Sequence, residues 1–340
     1  MLAAIFGCGG VRLTDEERAF FKKTQPWGFI VFARNIESPD QLRALTADLR
    51  ACVDHDDLPI LIDQEGGRVA RMRPPHWRAY PNGEAFAKLA ETSIEGAQEA
   101  ARLTMQLIGQ ELMDVGVNVD CLPILDVRQP FSHDVIGDRA YGTDPATVTA
   151  IGNAVSDGLA SQGVLPIIKH IPGHGRARVD SHLELPVAPD DLNVLEEVDF
   201  APFKALAHLP MAMTAHLVYP AIDPDRPATT SKRIISDVIR KQIGFSGLLM
   251  TDDLSMEALG GSIEDRAAES IQAGCDMVLH CNGKMGEMEA VAKATPQLAG
   301  DALKRAEAVA GFLSNHAREE LDPDKAIKRL TELGVEVENV

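Results

Sequence analysis

The segment Lys169–Pro186, KHIPGHGRARVDSHLELP, gathers side chains that could perform acid–base chemistry directly after an apolar run. Asp180 stands two residues before His182, and a carboxylate at that spacing can orient an imidazole and tune its basicity near neutral pH. His170 and His174 have the four-residue spacing of metal ligands on a helix, but the Pro and Gly residues around them disfavour a helix. A single histidine is more often structural than functional. We therefore base the prediction of a functional site on the three histidines and Asp180 together. We expect a catalytic loop and no metal site.

A second group of polar residues follows another apolar run, in the sequence LIDQEGGRVARM. Asp63 ends that run and could accept hydrogen bonds from two sugar hydroxyls, while Arg71 could bind a hydroxyl or an anionic group. The alternative is that Asp63 only caps the next turn. For Glu65 and Arg68 we favour a structural ion pair between the two residues.

The sequence LLMTDDLSM carries two adjacent carboxylates out of a buried run. Neighbouring residues on a strand point to opposite sides, so only one of the two should face the ligand. We assign that position to Asp252, and expect Asp253 or Ser255 to cap a following helix.

The sequence IGDRAYGTDP presents Arg139 to an anionic or hydroxylated ligand, and its Asp144-Pro145 step predicts the start of a helix.

Short apolar runs alternate with amphipathic stretches along the chain, a pattern that indicates repeated βα units and a parallel sheet. Most of the amphipathic stretches open with Ser, Thr, Asp or Pro, as helices do. The eight predicted strands are Ala3–Cys8, Phe29–Ala33, Ile60–Asp63, Val117–Asp126, Val164–His170, Met211–His216, Leu248–Asp252 and Met277–Cys281. Predicted helical stretches include Pro39–Cys52, Ile94–Val115, Pro145–Gln162, Val194–Leu206 and Ser231–Ile243.

The positions of the polar residues favour a (β/α)8 TIM-type barrel over a doubly wound sheet. Nearly every predicted strand ends in a polar residue, and in a barrel those ends converge on one mouth. No Gly-rich dinucleotide fingerprint follows the first strand, as a Rossmann fold would require. We expect one catalytic barrel domain over residues 1–340, with a charged C-terminal helix and tail from about residue 322. The polar strand ends are Asp63, Asp126, Lys169-His170, His216, Asp252 and His280.

Composition narrows the class of protein further. The 340-residue chain has a net charge of −18, which argues against a nucleic-acid partner because phosphate backbones require a basic surface. Its five cysteines are scattered and form no CxxC pair, so neither a disulfide framework nor a zinc site is indicated. No apolar segment reaches the length of a membrane span. We expect a cytoplasmic, soluble monomer that acts on a small molecule without a cofactor.

Taken in order, these motifs resemble the family 3 glycoside hydrolases, specifically the bacterial β-N-acetylhexosaminidases of peptidoglycan recycling. The resemblance covers most of the chain and implies a barrel in which Asp252 is the nucleophile and His182, held by Asp180, is the acid/base. The matching segments are FARN, DQEGGRVARM, GDRAYG, KHIPGHG, DSH and TDDLSM. The implied sugar-binding residues are Asp63, Arg71, Arg139, Lys169 and His170.

The implied substrate is a cytosolic muropeptide that carries a terminal β-linked N-acetylglucosamine on 1,6-anhydro-N-acetylmuramic acid. Glycoside cleavage passes through an oxocarbenium-like transition state, so one group must capture the anomeric carbon while another protonates the leaving oxygen. Capture by a carboxylate predicts retention of configuration through a covalent glycosyl-enzyme. Because neutral histidine does not repel anions, a phosphorylase on the same scaffold is the alternative.

Two more distant alternatives are a non-catalytic muropeptide sensor and a metal-dependent hydrolase. We also expect the Gly-rich loop Gly173–His182 to close over bound sugar and to open for product release.

Overall fold

The computed structural model of the chain describes residues 1–55, 57–179, 185–315 and 318–338. Eight parallel strands close into a barrel in which each strand pairs with its neighbours along the chain and the last pairs with the first. The barrel strands are β1 Leu2–Gly7, β2 Pro26–Val31, β3 Ile60–Ile62, β4 Val119–Asp120, β5 Leu165–Ile171, β6 Met211–Thr214, β9 Leu248–Asp253 and β10 Met277–His280. Outside the barrel, β7 Val218–Tyr219 and β8 Asp223–Pro227 form an antiparallel pair.

Helices occupy the connections between barrel strands, and most begin at a Ser, Thr, Asp or Asn side chain that accepts a backbone N–H of the first turn. The α-helices are α1 Asp15–Thr24, α2 Pro39–Arg50, α3 Gly83–Ala90, α4 Ile94–Asp114, α5 Pro145–Ala160, α6 Leu192–Val194, α7 Phe200–Ala205, α8 Ile263–Ala273, α9 Met285–Ala294, α10 Gly300–Asn315 and α11 Pro323–Glu332. Two π-helical segments span Leu195–Asp199 and Ile234–Gln242, and 3₁₀ turns span Ala33–Asn35, Gly137–Arg139 and Ala228–Thr230. Throughout the described ranges, no helix is long and apolar enough to cross a bilayer.

The predicted barrel is confirmed, and each of the eight predicted strands overlaps an observed one. The largest difference is β4, which has two residues where ten were predicted. Its regular ladder ends at Asp120, because the Leu122 N–H turns back to the Asp120 carbonyl, and pairing with β5 resumes only as an isolated bridge between Ile124 and Lys169. In the charged segment after residue 322, Pro323–Glu332 forms α11, and Asp322 is its N-cap. Helices α1, α3 and α8 to α10 were not predicted.

Two separate apolar clusters stabilise the barrel. One fills its interior with alternate strand residues such as Ile5, Leu61, Ile167 and Met250, and the other lies between the strands and the surrounding helices. Each fully buried aliphatic side chain contributes about 1.5–3 kcal/mol. Trp27, near the start of β2, belongs to the interior cluster together with α10 residues. The amino-terminal end of the barrel is therefore closed by apolar packing, which leaves the carboxyl ends of the strands for polar chemistry.

Candidate active site

The carboxyl ends of the barrel strands surround a cavity of about 490 Å³. It lies where barrel enzymes build their active sites, because loops from several strands meet there. The structure brings together in its lining the predicted nucleophile and all five predicted sugar-binding residues. These are Asp63, Arg71, Arg139, Lys169, His170 and Asp252.

Lys169 is the centre of a charged network on one wall of the cavity, the β3–β5 wall. Its Nζ lies 3.0 Å from Oδ1 of Asp63 and 2.7 Å from Oε1 of Glu65. Arg71 donates to Oδ2 of Asp63 at 2.9 Å, and Arg139 donates two hydrogen bonds to the Glu65 carboxylate, each 2.8 Å. Lys169 is only 1% exposed, so its charge depends on these two carboxylates for compensation.

The network holds its members in their charged forms. Burial disfavours the charged carboxylates, but Lys169 and Arg71 outweigh it and hold the pKa of Asp63 well below its usual range. Against the same burial, Arg139 and Lys169 lower the pKa of Glu65 to about 2. The two carboxylates in turn keep the pKa of Lys169 above its ordinary value despite burial. At neutral pH this wall carries fixed charges whose donors and acceptors can bind hydroxyl groups.

The bend after β3 places these side chains. Gly66 has φ of 89°, a left-handed conformation that favours glycine, and a Cβ there would lie 2.1 Å from the carbonyl oxygen of Pro81. Beyond the bend the chain returns antiparallel to itself, with the Glu65 N–H bonded to the Val69 carbonyl. The Gly66-Gly67 bend thus turns Arg71 back toward Asp63.

The expected Glu65–Arg68 ion pair is wrong. Both residues line the cavity, but Glu65 binds Arg139 and Lys169, whereas Arg68 binds Asp138 at 2.8 Å. The sharp bend sends the two side chains in different directions, so closeness in sequence does not become contact. Glu65 is a site residue that the sequence reasoning missed.

A second cluster follows β4 and β5. Oδ2 of Asp126 lies 2.7 Å from Nδ1 of His170, and its Oδ1 accepts the backbone N–H groups of His170 and His174 at 3.2 and 2.6 Å. Burial opposes ionisation, but His170 and His174 lower the pKa of Asp126 to about 2. Asp126 therefore orients His170, a role that its position at a strand end did not reveal in the sequence.

His174 lines the same cavity but is neutral at physiological pH. Burial, with the charge of nearby His170, lowers its pKa to about 4. Both of its ring nitrogens are buried, and neither has a hydrogen-bond partner within the described part of the chain. The structure thus places a third polar group of the KHIPGHG segment in the cavity wall, and this group was not among the predicted site residues.

Asp252 stands on the opposite wall, at the carboxyl end of β9. Within the described residues, the one hydrogen bond to its carboxylate is the 2.8 Å bond donated by the backbone N–H of Asp253. Burial opposes ionisation, but the nearby His170 and His216 and that backbone bond keep the pKa of Asp252 below its ordinary value. It is a charged carboxylate that no cation among those residues pairs with directly.

The adjacent Asp253 points elsewhere and accepts bonds from the backbone and hydroxyl groups of Ser255 and from the Cys281 N–H. It stabilises a turn and caps no helix, so the expected helix start is wrong. The next helix, α8, begins only after its own cap at Ser262. The predicted cap at Asp144 is confirmed, since its side chain accepts the Thr147 N–H at the start of α5.

Three polar strand ends predicted at the mouth, Asp126, His216 and His280, lie outside the cavity lining, and Asp126 reaches the cavity only through His170. His216 contacts the hydroxyl of Thr229 and the carbonyl of Asp253, and His280 is fully buried beside Glu287 at 3.7 Å. The predicted acid/base pair, Asp180 and His182, lies outside the described residues. Among the residues that are described, no group of three His, Cys, Asp or Glu side chains could hold a metal ion.

A family model described as the glycosyl hydrolase family 3 N-terminal domain matches residues 3–308. This chain belongs to glycosyl hydrolase family 3. It is 36% identical over 304 residues to a beta-hexosaminidase of Aromatoleum aromaticum. The aligned residues cover 88% of this chain and 85% of the relative. It is also 40% identical over 282 residues to a beta-hexosaminidase of Alkalilimnicola ehrlichii, with 82% and 80% covered.

Among solved structures, NagZ from Neisseria gonorrhoeae in complex with N-trifluoroacetyl-D-glucosamine superposes with a TM-score of 0.87 and 30% identity. The match covers 97% of both chains. Membership of the family makes this protein a glycoside hydrolase, and the cavity at the carboxyl ends of its strands is the candidate active site.

Proposed function

We propose that this protein is a retaining exo-β-N-acetylglucosaminidase with Asp252 as its nucleophile. The observation that carries the proposal is that Asp252, without a paired cation among the described residues, faces a wall of ion-paired groups across a single cavity. A sugar held by the hydroxyl-binding groups of the β3–β5 wall would present its anomeric carbon to that carboxylate. The N. gonorrhoeae NagZ complex with an N-acylated glucosamine supports an amino-sugar substrate.

In the proposed mechanism, His182, oriented by Asp180, protonates the departing oxygen while Asp252 captures the anomeric carbon. His182 then deprotonates the water that releases the sugar with its original configuration. The charged groups of Asp63, Arg71 and Lys169 would hold the sugar hydroxyls during both steps.

The proposed substrate is the terminal β-linked N-acetylglucosamine of muropeptides that end in 1,6-anhydro-N-acetylmuramic acid, with or without peptide. Such substrates would place the enzyme in the cytoplasm and in cell-wall recycling. All five cysteines are buried and free, a usage that supports a reducing compartment. The similarity to curated beta-hexosaminidases along more than four fifths of the chain supports the reaction type.

Mass spectrometry after exposure to a 2-fluoro or 5-fluoro amino-sugar inactivator tests the proposal. We expect one sugar adduct, on the peptide that contains Asp252, and none in the Asp252→Asn variant. An adduct on another carboxylate would refute the assignment. A parallel assay in phosphate buffer separates free sugar, the product of hydrolysis, from sugar 1-phosphate, the product of a phosphorylase.

A further inference from the structure

Arg176 forms a buried ionic cluster just beyond the cavity. Its Nε lies 2.5 Å from Oδ2 of Asp199, and one terminal nitrogen lies 3.0 Å from Oδ1 of Asp190. The side chains of Arg176 and Asp199 are 5% and 1% exposed, and that of Asp190 is 24% exposed. No other described side chain hydrogen-bonds to either carboxylate. The guanidinium therefore connects two acidic groups that would otherwise repel each other.

The cluster joins distant points of the chain. Arg176 directly follows the KHIPGHG segment, Asp190 comes 14 residues later, and Asp199 ends the π-helical segment before α7. The Arg176–Asp190 contact thus connects the described residues before position 180 to those after position 184. In the sequence, Asp180 and His182 lie between Arg176 and Asp190.

Residues 173–177, which lead out of β5 and are called the outgoing limb here, are held in place by their surroundings. The hydroxyl of Tyr219 donates to the Gly173 carbonyl at 2.6 Å, and the His133 N–H donates to the Ala177 carbonyl at 2.8 Å. A Cβ at Gly175 would lie 2.1 Å from the Val127 carbonyl oxygen, so only glycine allows this close approach. The described start of the Gly-rich loop is therefore firmly packed, while the loop closure predicted from the sequence stays a prediction.

Residues 186–190, the returning limb, are fixed by a separate pair of backbone hydrogen bonds to Val218. Val218 donates its N–H to the Pro186 carbonyl at 3.0 Å and accepts the Ala188 N–H at 2.9 Å. Arg176 links this limb to the outgoing one through Asp190. Burial raises the pKa of Asp199 to about 7, even with the hydrogen bond from Arg176. Removing the guanidinium would protonate Asp199 and take away the donor that Asp190 and Asp199 share, so the link between the two limbs would be lost.

We propose that Arg176 is a positioning residue for the acid/base step, because its bridge to Asp190 and Asp199 ties the described residues that precede His182 in the sequence to those that follow it. The inference rests on the proposed role of His182. It predicts that loss of the bridge weakens proton transfer to the leaving group and leaves capture of the sugar by Asp252 largely intact.

The experiment compares kcat/KM of the full-length enzyme for aryl N-acetyl-β-glucosaminides of increasing leaving-group pKa. With a 2,4-dinitrophenyl leaving group little protonation is needed, so Arg176→Met should lose less than about 3-fold. With a poor leaving group the loss should be about 10- to 100-fold, a part of the 10²- to 10⁴-fold that general acid catalysis supplies. Arg176→Lys, which retains the charge, should recover part of this loss.

Arg240→Met is the matched control, because Arg240 also forms a buried pair, 2.7 Å from Asp276, away from the cavity. It should reduce stability without changing the dependence on leaving group. Equal losses on all leaving groups in Arg176→Met would refute the positioning role. If Arg176→Met does not fold, Asp190→Asn must show the same dependence, in weaker form, or the inference fails.

His182→Ala separates this inference from the proposed function. If its loss is independent of the leaving group, His182 is not the acid and the proposed mechanism fails. If its loss depends on the leaving group and that of Arg176→Met does not, only the role of Arg176 is refuted.

Discussion

The two walls of the cavity differ in how their charges are compensated. On the β3–β5 wall, Asp63 and Glu65 each bind two cations, and Lys169 lies buried between them. On the opposite wall, Asp252 receives a single backbone hydrogen bond from the described residues. Both walls carry ionised carboxylates, but only one wall compensates them with cationic side chains.

The difference shows how one cavity can both hold a sugar and react with it. A carboxylate fixed by two cations is a rigid hydrogen-bond acceptor and a poor nucleophile, because the cations stabilise its negative charge and occupy its lone pairs. A carboxylate without a paired cation keeps its charge for an electron-poor carbon. We therefore expect substitutions on the β3–β5 wall to affect both stability and binding, and substitution of Asp252 to affect the reaction alone.

The strongest test is Asp252→Asn. Loss of a nucleophile should reduce kcat/KM by about 10⁴-fold or more. The free energy of unfolding should change by about 1 kcal/mol, since one hydrogen bond is altered. Steady-state kinetics and urea unfolding measure the two effects, and Asp253→Asn, which alters only the neighbouring turn, should lose far less activity. A large loss of stability in Asp252→Asn would contradict the proposed difference between the two walls, because both walls would then contribute to stability.

Lys169→Met should damage both properties. Two buried carboxylates lose a shared cation, which should lower the free energy of unfolding by about 3–5 kcal/mol, together with activity. Lys88→Met is the matched control, because Lys88 also lies 2.7 Å from a glutamate, Glu84, but at the exposed surface. That variant should differ from the wild type by less than about 0.5 kcal/mol. Similar urea midpoints for the two variants would contradict the prediction.

Arg139→Lys sharpens the comparison, since it keeps the charge and removes the two-point contact with Glu65. A lost charged hydrogen bond costs about 1.5–3 kcal/mol, so we expect kcat/KM to fall about 10- to 100-fold. Arg329→Lys removes a similar two-point contact with Glu99 on the surface, at 2.7 and 2.8 Å. The kcat/KM of this control should match that of the wild type. If the kcat/KM of Arg139→Lys is also unchanged, the two-point contact of Arg139 with Glu65 is unimportant for activity.

The smallest expected effect is a pH dependence centred on Asp126. Its pKa is about 2 in the folded protein and about 3.9 when unfolded, so the folded state binds the proton less readily. The resulting stabilisation, about 2.5 kcal/mol, is complete well above pH 4 and is lost as pH falls through 2. The difference in unfolding free energy between wild type and Asp126→Asn should therefore shrink from pH 6 to pH 2. A constant difference would contradict the prediction.

Most of the barrel and much of its site could be predicted because the signals are local. Alternating apolar runs and helix caps mark the strands and helices, and Asp63, Lys169 and Asp252 each end or follow an apolar run. Errors arose where a side chain's direction depends on a bend, as for Glu65 and Arg68. The length of β4 was also wrong, because the Leu122 N–H bonds back to Asp120 and interrupts a ladder that the apolar run Val117–Asp126 led us to expect.

The sequence by itself determined the βα repeat, the motifs at the strand ends and the family resemblance, since each depends on residues close together in the chain. The tertiary structure decided which charges meet. Lys169 and Asp63 are 106 residues apart, and Asp126 and His170 are 44 apart. Burial then decided the protonation of these groups, because the free energy of a charge depends on the solvent and charges around it in space.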